Sequence, residues 1–277
     1  MILVRDSLKG KVKPFTFLIF LVFFCHWPSK AQEKQHLAPE LWPEVQAEYV
    51  FKNTSFLYFR HQYRFTTNPD YKGLNAFVLD NQLKRIQFRL GYEQVFNAAW
   101  GLGGSQMFSF EPSRKLYFTD VYLRHSNFVA GLQIIKRVMV DYLQYSNTAS
   151  VGRLRPRLDL DKSFKMNTFT IRLRAGYELF VYTNFESSKP YSVRGIDRTR
   201  LRTEVILQPN PHVSFTPFFT RQTDYNRLPN KLDDQTQFVT VGEKLNSITP
   251  IWGVEVRYVF FQGNKPFPRV IVPVQQD

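Results

Sequence analysis

The sequence predicts an all-β fold: a transmembrane antiparallel β-barrel of about 10–12 strands behind a cleaved signal peptide. Three observations carry this expectation. From Trp42 onward the polar and apolar residues alternate with a period of two, the period of a pleated strand. Many alternating segments run ten residues or more, the length at which a tilted strand crosses a bilayer. No apolar run approaches the roughly 20 residues of a spanning helix, which excludes a polytopic helical protein. The 277 residues are 43% hydrophobic and include 27 Phe, 14 Tyr and 4 Trp, too apolar and aromatic for a disordered chain.

The first 31 residues read as a secretory leader. Arg5, Lys9, Lys11 and Lys13 make a basic start, residues 15–24 an apolar core, and Ser29-Lys30-Ala31 a small-x-small end before Gln32. Cleavage there removes five basic residues and one acid, which takes the formal net charge from +14 to +10. It also removes Cys25, the one cysteine, so neither a disulfide framework nor a Cys-based metal site is expected. Export makes a nucleic-acid role unexpected despite the basic balance. The remaining chain divides into a short N-terminal segment (32–41), a barrel (42–261) and a C-terminal tail (262–277).

The first strand is placed at residues 42–51 and the second at 55–65. The clearest follows at 84–93: Ile86, Phe88, Leu90 and Tyr92 share one face, while Arg85, Gln87, Arg89 and Glu93 share the other. Weaker alternation marks 98–110, 116–124 and 128–145. Residues 153–161 then set Leu154, Leu158 and Leu160 against Arg153, Arg155, Arg157, Asp159 and Asp161. In the next strand Phe169, Ile171 and Leu173 oppose Arg172 and Arg174; after it, Leu201, Val205 and Leu207 oppose Arg198, Arg200, Arg202 and Glu204. A segment at 212–222 precedes the last strand, where Trp252, Val254, Val256, Tyr258 and Phe260 oppose Gly253, Glu255 and Arg257. This gives eleven strands, or twelve if residues 235–242 form one.

Tight turns are expected at Lys52-Asn53-Thr54, His125-Ser126-Asn127 and Pro209-Asn210-Pro211, and longer loops at 68–81, 184–197 and 223–234. Short turns at one rim and long loops at the other are the asymmetry of an outer-membrane barrel. In this segmentation the short turns follow strands one, three, five and nine. With the N-terminus on the periplasmic side those turns fall at the external rim, a conflict of parity.

Energetics decide which face points inward. An Arg against lipid near the bilayer midplane costs about 2–4 kcal/mol, so Arg153, Arg155 and Arg157 together would cost roughly 6–12 kcal/mol, comparable to a domain's stability. Arg85, Arg89, Glu93, Arg153, Arg155, Arg157, Asp159, Arg172, Arg174, Arg198, Arg200, Arg202 and Glu204 are therefore expected to line the lumen. Glu93, Asp120, Asp159, Asp161, Glu178 and Glu204 would neutralise the arginines. Phe65, Phe110, Tyr145 and Tyr182 would contribute to aromatic girdles.

Several short stretches are similar to one family. Gln62-Tyr63-Arg64-Phe65, Gly91-Tyr92-Glu93, residues 198–204 (RTRLRTE), the leader ending Ala31-Gln32 and the closing Arg257-Tyr258-Val259-Phe260-Phe261 resemble an uncharacterised family of Gram-negative outer-membrane barrels, known only as a domain of unknown function. The resemblance spans nearly the whole mature chain and implies fold and a cell outer-membrane location, with no activity attached. Barrels of this kind usually end on a terminal aromatic read by the assembly machinery; here sixteen residues follow Phe261.

No catalytic group is expected. His36 precedes the barrel, His125 and His212 fall in or beside expected turns, and His61 shares the apolar face with Phe59 and Tyr63. His125 and Ser126, as neighbours on a strand, would point to opposite faces. No pair of His has metal-ligand spacing, and Gly101, Gly103 and Gly104 precede no helix that would make a phosphate loop. Neither metal nor cofactor is expected. The expected partners are outer-membrane lipid, lipopolysaccharide and the barrel-assembly machinery. The expected role is structural, with a lumen plugged by Arg and acids, or a narrow anion-favouring pore. Two other readings stay open: an outer-membrane enzyme of the lipid hydrolase or deacylase type, and a soluble exported barrel that binds a lipophilic ligand.

Overall fold

The computed structural model describes residues 33–74, 82–146, 150–166, 169–183, 196–227, 231–232, 239–240, 244–263 and 265–267. The segment 1–31, expected to be a leader, and most of the expected tail lie outside them. The described strands are β1 (Glu33–His36), β2 (Glu40–Val50), β3 (Phe56–Thr66), β4 (Leu83–Val95), β5 (Trp100–Glu111), β6 (Arg114–Val129), β7 (Leu132–Tyr145), β8 (Val151–Met166), β9 (Phe169–Thr183), β10 (Ile196–Asn210), β11 (Val213–Arg227), β12 (Lys231–Leu232), β13 (Val239–Thr240) and β14 (Lys244–Phe261).

Strands β2 to β11 and β14 form a closed barrel of eleven, each hydrogen-bonded to the next in sequence order. Closure is by β2 against β14, which run parallel from Glu40↔Ile251 to Val50↔Phe261. The short β1 pairs with the start of β14, also parallel. Pro39, which has no backbone donor, separates β1 from β2, and the register on β14 slips by one residue across it. The segment expected to precede the barrel thus already belongs to its wall. Of residues 235–242 only Val239–Thr240 is described, and it pairs with β12 in a separate two-stranded sheet.

The short turns follow the first, third, fifth, seventh and ninth barrel strands, and the odd strand count puts the two ends of the barrel at opposite rims. The connections after β2, β4, β6, β8 and β10 are all short and lie at one rim, where β14 also ends. The long connections after β3, β9 and β11 lie at the other rim, where β1 begins. Because first and last strands are parallel, the chain enters at the long-loop rim and leaves at the short-turn rim.

The turn placements need three corrections. His125-Ser126-Asn127 is inside β6, and the chain reverses instead at Ala130–Gly131, both at positive φ (51° and 73°), as a two-residue hairpin turn demands. Strand β10 runs on to Asn210, whose side-chain oxygen accepts from the N–H groups of His212 and Val213 at 2.9 Å each. Thr223–Arg227, expected in a loop, extends β11.

Burial follows the alternation. Side chains such as Leu90, Val121, Val140, Leu173 and Leu201 face outward and are exposed, while charged and amide side chains face inward and are buried. Two girdle assignments change. Tyr145 packs against the interior cluster of Met107, Leu116, Phe118 and Leu143, and Tyr182 has the inward parity of Phe180. Phe261 also faces inward: with Val50, Phe56, Tyr58 and Val259 it forms an apolar cluster near the short-turn end of the lumen, against which Phe267 packs. The outward aromatic closing β14 is Phe260.

Candidate functional site: the charged lumen

Alternation supplies the lumen with its charge. Among the described residues, thirteen arginines and eleven carboxylates are buried, an excess of two positive charges. All thirteen residues expected to line the lumen lie on inward faces. Arg89, Glu93, Arg153, Arg155, Arg157, Asp159, Arg172, Arg174, Arg200, Arg202 and Glu204 are buried, and Arg85 and Arg198 keep partial exposure.

Three geometries pair the charges. Residues two apart on one strand share a face, which joins Arg157 to Asp159 at 2.7 Å, Arg202 to Glu204 at 2.5 Å and Arg257 to Glu255 at 2.7 Å. Neighbouring strands supply the second kind. Arg153 and Asp141 stand opposite in register and pair, Arg155 reaches both Asp141 (3.1 Å) and Glu178 (2.7 Å), and Arg174 bridges Asp161 (2.7 Å) and Glu204 (3.0 Å).

The third geometry skips a strand. Arg89 on β4 reaches Asp120 on β6 at 3.1 Å, with Ser105 of the intervening β5 hydrogen-bonded to both. Arg124 on β6 reaches Glu93 on β4 at 2.7 Å, and Tyr122 donates to the same carboxylate at 2.8 Å. The second contact passes over glycines of β5. A Cβ on Gly101 would stand 2.6 Å from Glu93 Oε1 and 2.7 Å from Arg124 Nη2, and one on Gly103 would stand 2.3 Å from the Tyr122 ring. The glycines clear the path on which side chains of the flanking strands meet.

Like charges also stand opposite one another in register: Arg60 and Arg89, Arg64 and Arg85, Arg124 and Arg137, Arg137 and Arg157. Such pairs repel, and contacts reaching beyond the nearest neighbour offset them. Aromatic rings add cation–π support: Arg202 stacks 3.4 Å from the centroid of Phe218, and Arg153, Arg155, Arg198 and Arg200 surround Phe180 at 4.5–5.7 Å. A void of about 10 Å³ remains between Arg157, Gly176, Glu178, Arg200, Arg202 and Thr220, room for one water at most.

The first strands hold lining residues that the sequence reading did not assign to the lumen. Glu44 and Glu48 on β2, Arg60 and Arg64 on β3, and Trp42 beneath Arg64 are all buried. Their alternation with Val45, Ala47, Tyr49, Phe59 and His61 was available as a signal. The histidines stand away from these charges. His61 lies outward between Tyr63 and Phe88, His125 outward on Trp100, and His212 at a short turn beside the Val259 carbonyl at 2.9 Å. Ser126 turns inward and accepts from Gln133 at 2.9 Å, so His125 and Ser126 do point to opposite faces.

No family model matches the chain, and no curated protein is significantly similar to it.

Proposed function

We propose that the chain is an exported barrel of the cell outer membrane, sealed and braced by its own ion pairs, with a structural role and no catalytic one. The observation that carries this reading is the inversion of its faces. Apolar side chains are among the most exposed, Val121 and Val140 at 56% each, while the arginines and carboxylates are buried. In water such a surface would associate; against lipid it is the stable one. Outward aromatics gather near both strand ends, Tyr49, Tyr92, Trp100, Tyr258 and Phe260 toward the short turns, and Phe108, Phe110, Tyr117 and Tyr142 toward the long loops. Two such rows fit the interfacial girdles of a membrane barrel. The polar interior speaks against a lumen for a lipophilic ligand. Lipid, lipopolysaccharide and the assembly machinery are the partners this reading requires.

A narrow anion-favouring pore is the second reading, supported by the two-charge excess of buried arginine. The close pairing of the lumen charges, such as Arg155 held between Asp141 and Glu178, favours the seal. Reconstitution in planar bilayers separates the two: a sealed barrel gives no steady conductance, and a persistent anion-selective current would overturn it. Recovery of the protein from a periplasmic fraction without detergent would overturn the membrane placement.

A further inference from the structure

We infer that the lumen mouth facing the long loops is a binding site for a phosphate group, held by arginines around Trp42. This goes beyond the membrane reading, and its test in detergent solution does not depend on that reading.

The argument starts from Arg64. It is 95% buried, its Cζ stands 3.8 Å from the centroid of the Trp42 ring, and its Nε donates to the neutral amide of Gln62 at 2.7 Å. Its Nη2 is buried with no hydrogen-bond partner. An unmade bond on a buried charged donor is costly, so this nitrogen is disposed to take an acceptor. Arg85 stands opposite Arg64 in register. Arg200 approaches the same indole at 5.5 Å and donates from Nε to Gln222 at 2.8 Å.

Of the acids at this mouth, Asp197 lies beside Arg198, and three others have bonded partners. Glu40 takes Lys84 at 2.6 Å and Trp42 Nε1 at 2.8 Å; Glu111 takes Arg85 and, at 2.7 Å, Arg114; Asp224 takes Arg198 and, at 2.8 Å, Gln222. Access is from this rim, where Arg198 keeps 27% and Arg85 19% of the side chain exposed. Near the opposite rim the lumen wall of β2, β3 and β14 is instead apolar, with Val50, Phe56, Tyr58, Val259 and Phe261 clustered there. The result is a cationic mouth. Phosphate fits it best, because guanidinium forks match its oxygens in pairs and a dianion is drawn to a cluster of arginines.

The phosphate could be the free ion or a lipid headgroup, and two arms separate them. The mature chain, folded in non-ionic detergent, is titrated calorimetrically with inorganic phosphate at an ionic strength fixed with chloride, and in parallel with micelles containing phosphatidic acid. One saturable site per chain is expected. Response to inorganic phosphate identifies a free-ion site, and response to phosphatidic acid alone a headgroup site. Arg64→Gln should weaken binding at least tenfold, while Lys52→Gln, at an exposed short-turn residue of the opposite rim, should leave it unchanged. Should Arg64→Gln fail to fold, Arg64→Lys keeps the charge without the fork and should weaken binding threefold or more. No saturable binding in either arm, or unchanged affinity in the folded Arg64 variant, would overturn the inference.

Discussion

Arg124 and Glu93 meet at 2.7 Å although a whole strand lies between theirs. The facing residue on that strand is Gly101, opposite Arg124 in register. Both charged side chains are essentially inaccessible, at 0% and 1% exposure. A glycine in a strand normally weakens it; here its missing Cβ admits a buried ion pair that braces three strands at once.

Gly101→Val should therefore destabilise the barrel by displacing that pair. A loss of about 3–5 kcal/mol is expected, the cost of breaking a buried ion pair. The neighbouring Leu102 faces outward, so Leu102→Val should cost little. Thermal unfolding in detergent, read by heat-modified migration on a gel, distinguishes the two; equal midpoints would contradict the bridging role.

Removing one charge should be worse than removing both. Glu93→Leu leaves Arg124 buried without its carboxylate and should cost about 3–5 kcal/mol, whereas Glu93→Leu with Arg124→Met should recover much of it. A double-mutant cycle of unfolding free energies measures the coupling, and additive losses would count against a direct pair.

The outward face should reject charge in proportion to depth. Leu173, 46% exposed amid the apolar belt, should cost about 2–4 kcal/mol as Leu173→Arg. Thr170→Arg, inward and nearer the short-turn rim, should be accommodated. Folding yields into lipid vesicles report the difference; indistinguishable yields would mean that the two faces are misassigned.

Parallel closure fixes where the chain ends emerge. If the short turns face the periplasm, an epitope fused before Glu33 should be labelled on intact cells, and one placed after Phe267 only after permeabilisation. The reverse pattern would invert the orientation, and both epitopes on one side would contradict the odd strand count.

Much of this architecture was legible because strand alternation is a local property. Arg85, Gln87, Arg89 and Glu93 could be assigned inward from the apolar residues between them, and Arg153 to Asp161 likewise. Polarity misled where it mimicked a turn: His125-Ser126-Asn127 is strand because His125 stacks on Trp100, 4.5 Å away, and Ser126 bonds Gln133. The true reversal at Ala130 carried little signal, since alanine seldom adopts positive φ. Contacts that skip a strand, such as Arg89 to Asp120, depend on the register of two ladders together, which no single segment encodes. The arginine cluster at Trp42 was hidden for the same reason, being assembled from β3, β4 and β10.

The parallel seam has a kinetic consequence. Every other barrel pair is a sequence neighbour, and a hairpin turn or loop brings its strands together cheaply. Strands β2 and β14 are joined by no turn; their partners lie more than two hundred residues apart. The loop entropy of that pairing falls due only when the rest of the sheet has curled into place, so the seam should zip last and open first. At the short-turn end Gln262 clasps both sides of it, donating from its N–H to the Val50 carbonyl and accepting from the Lys52 N–H, each at 2.9 Å. The latch of the barrel is thus written in the residues just after its last strand.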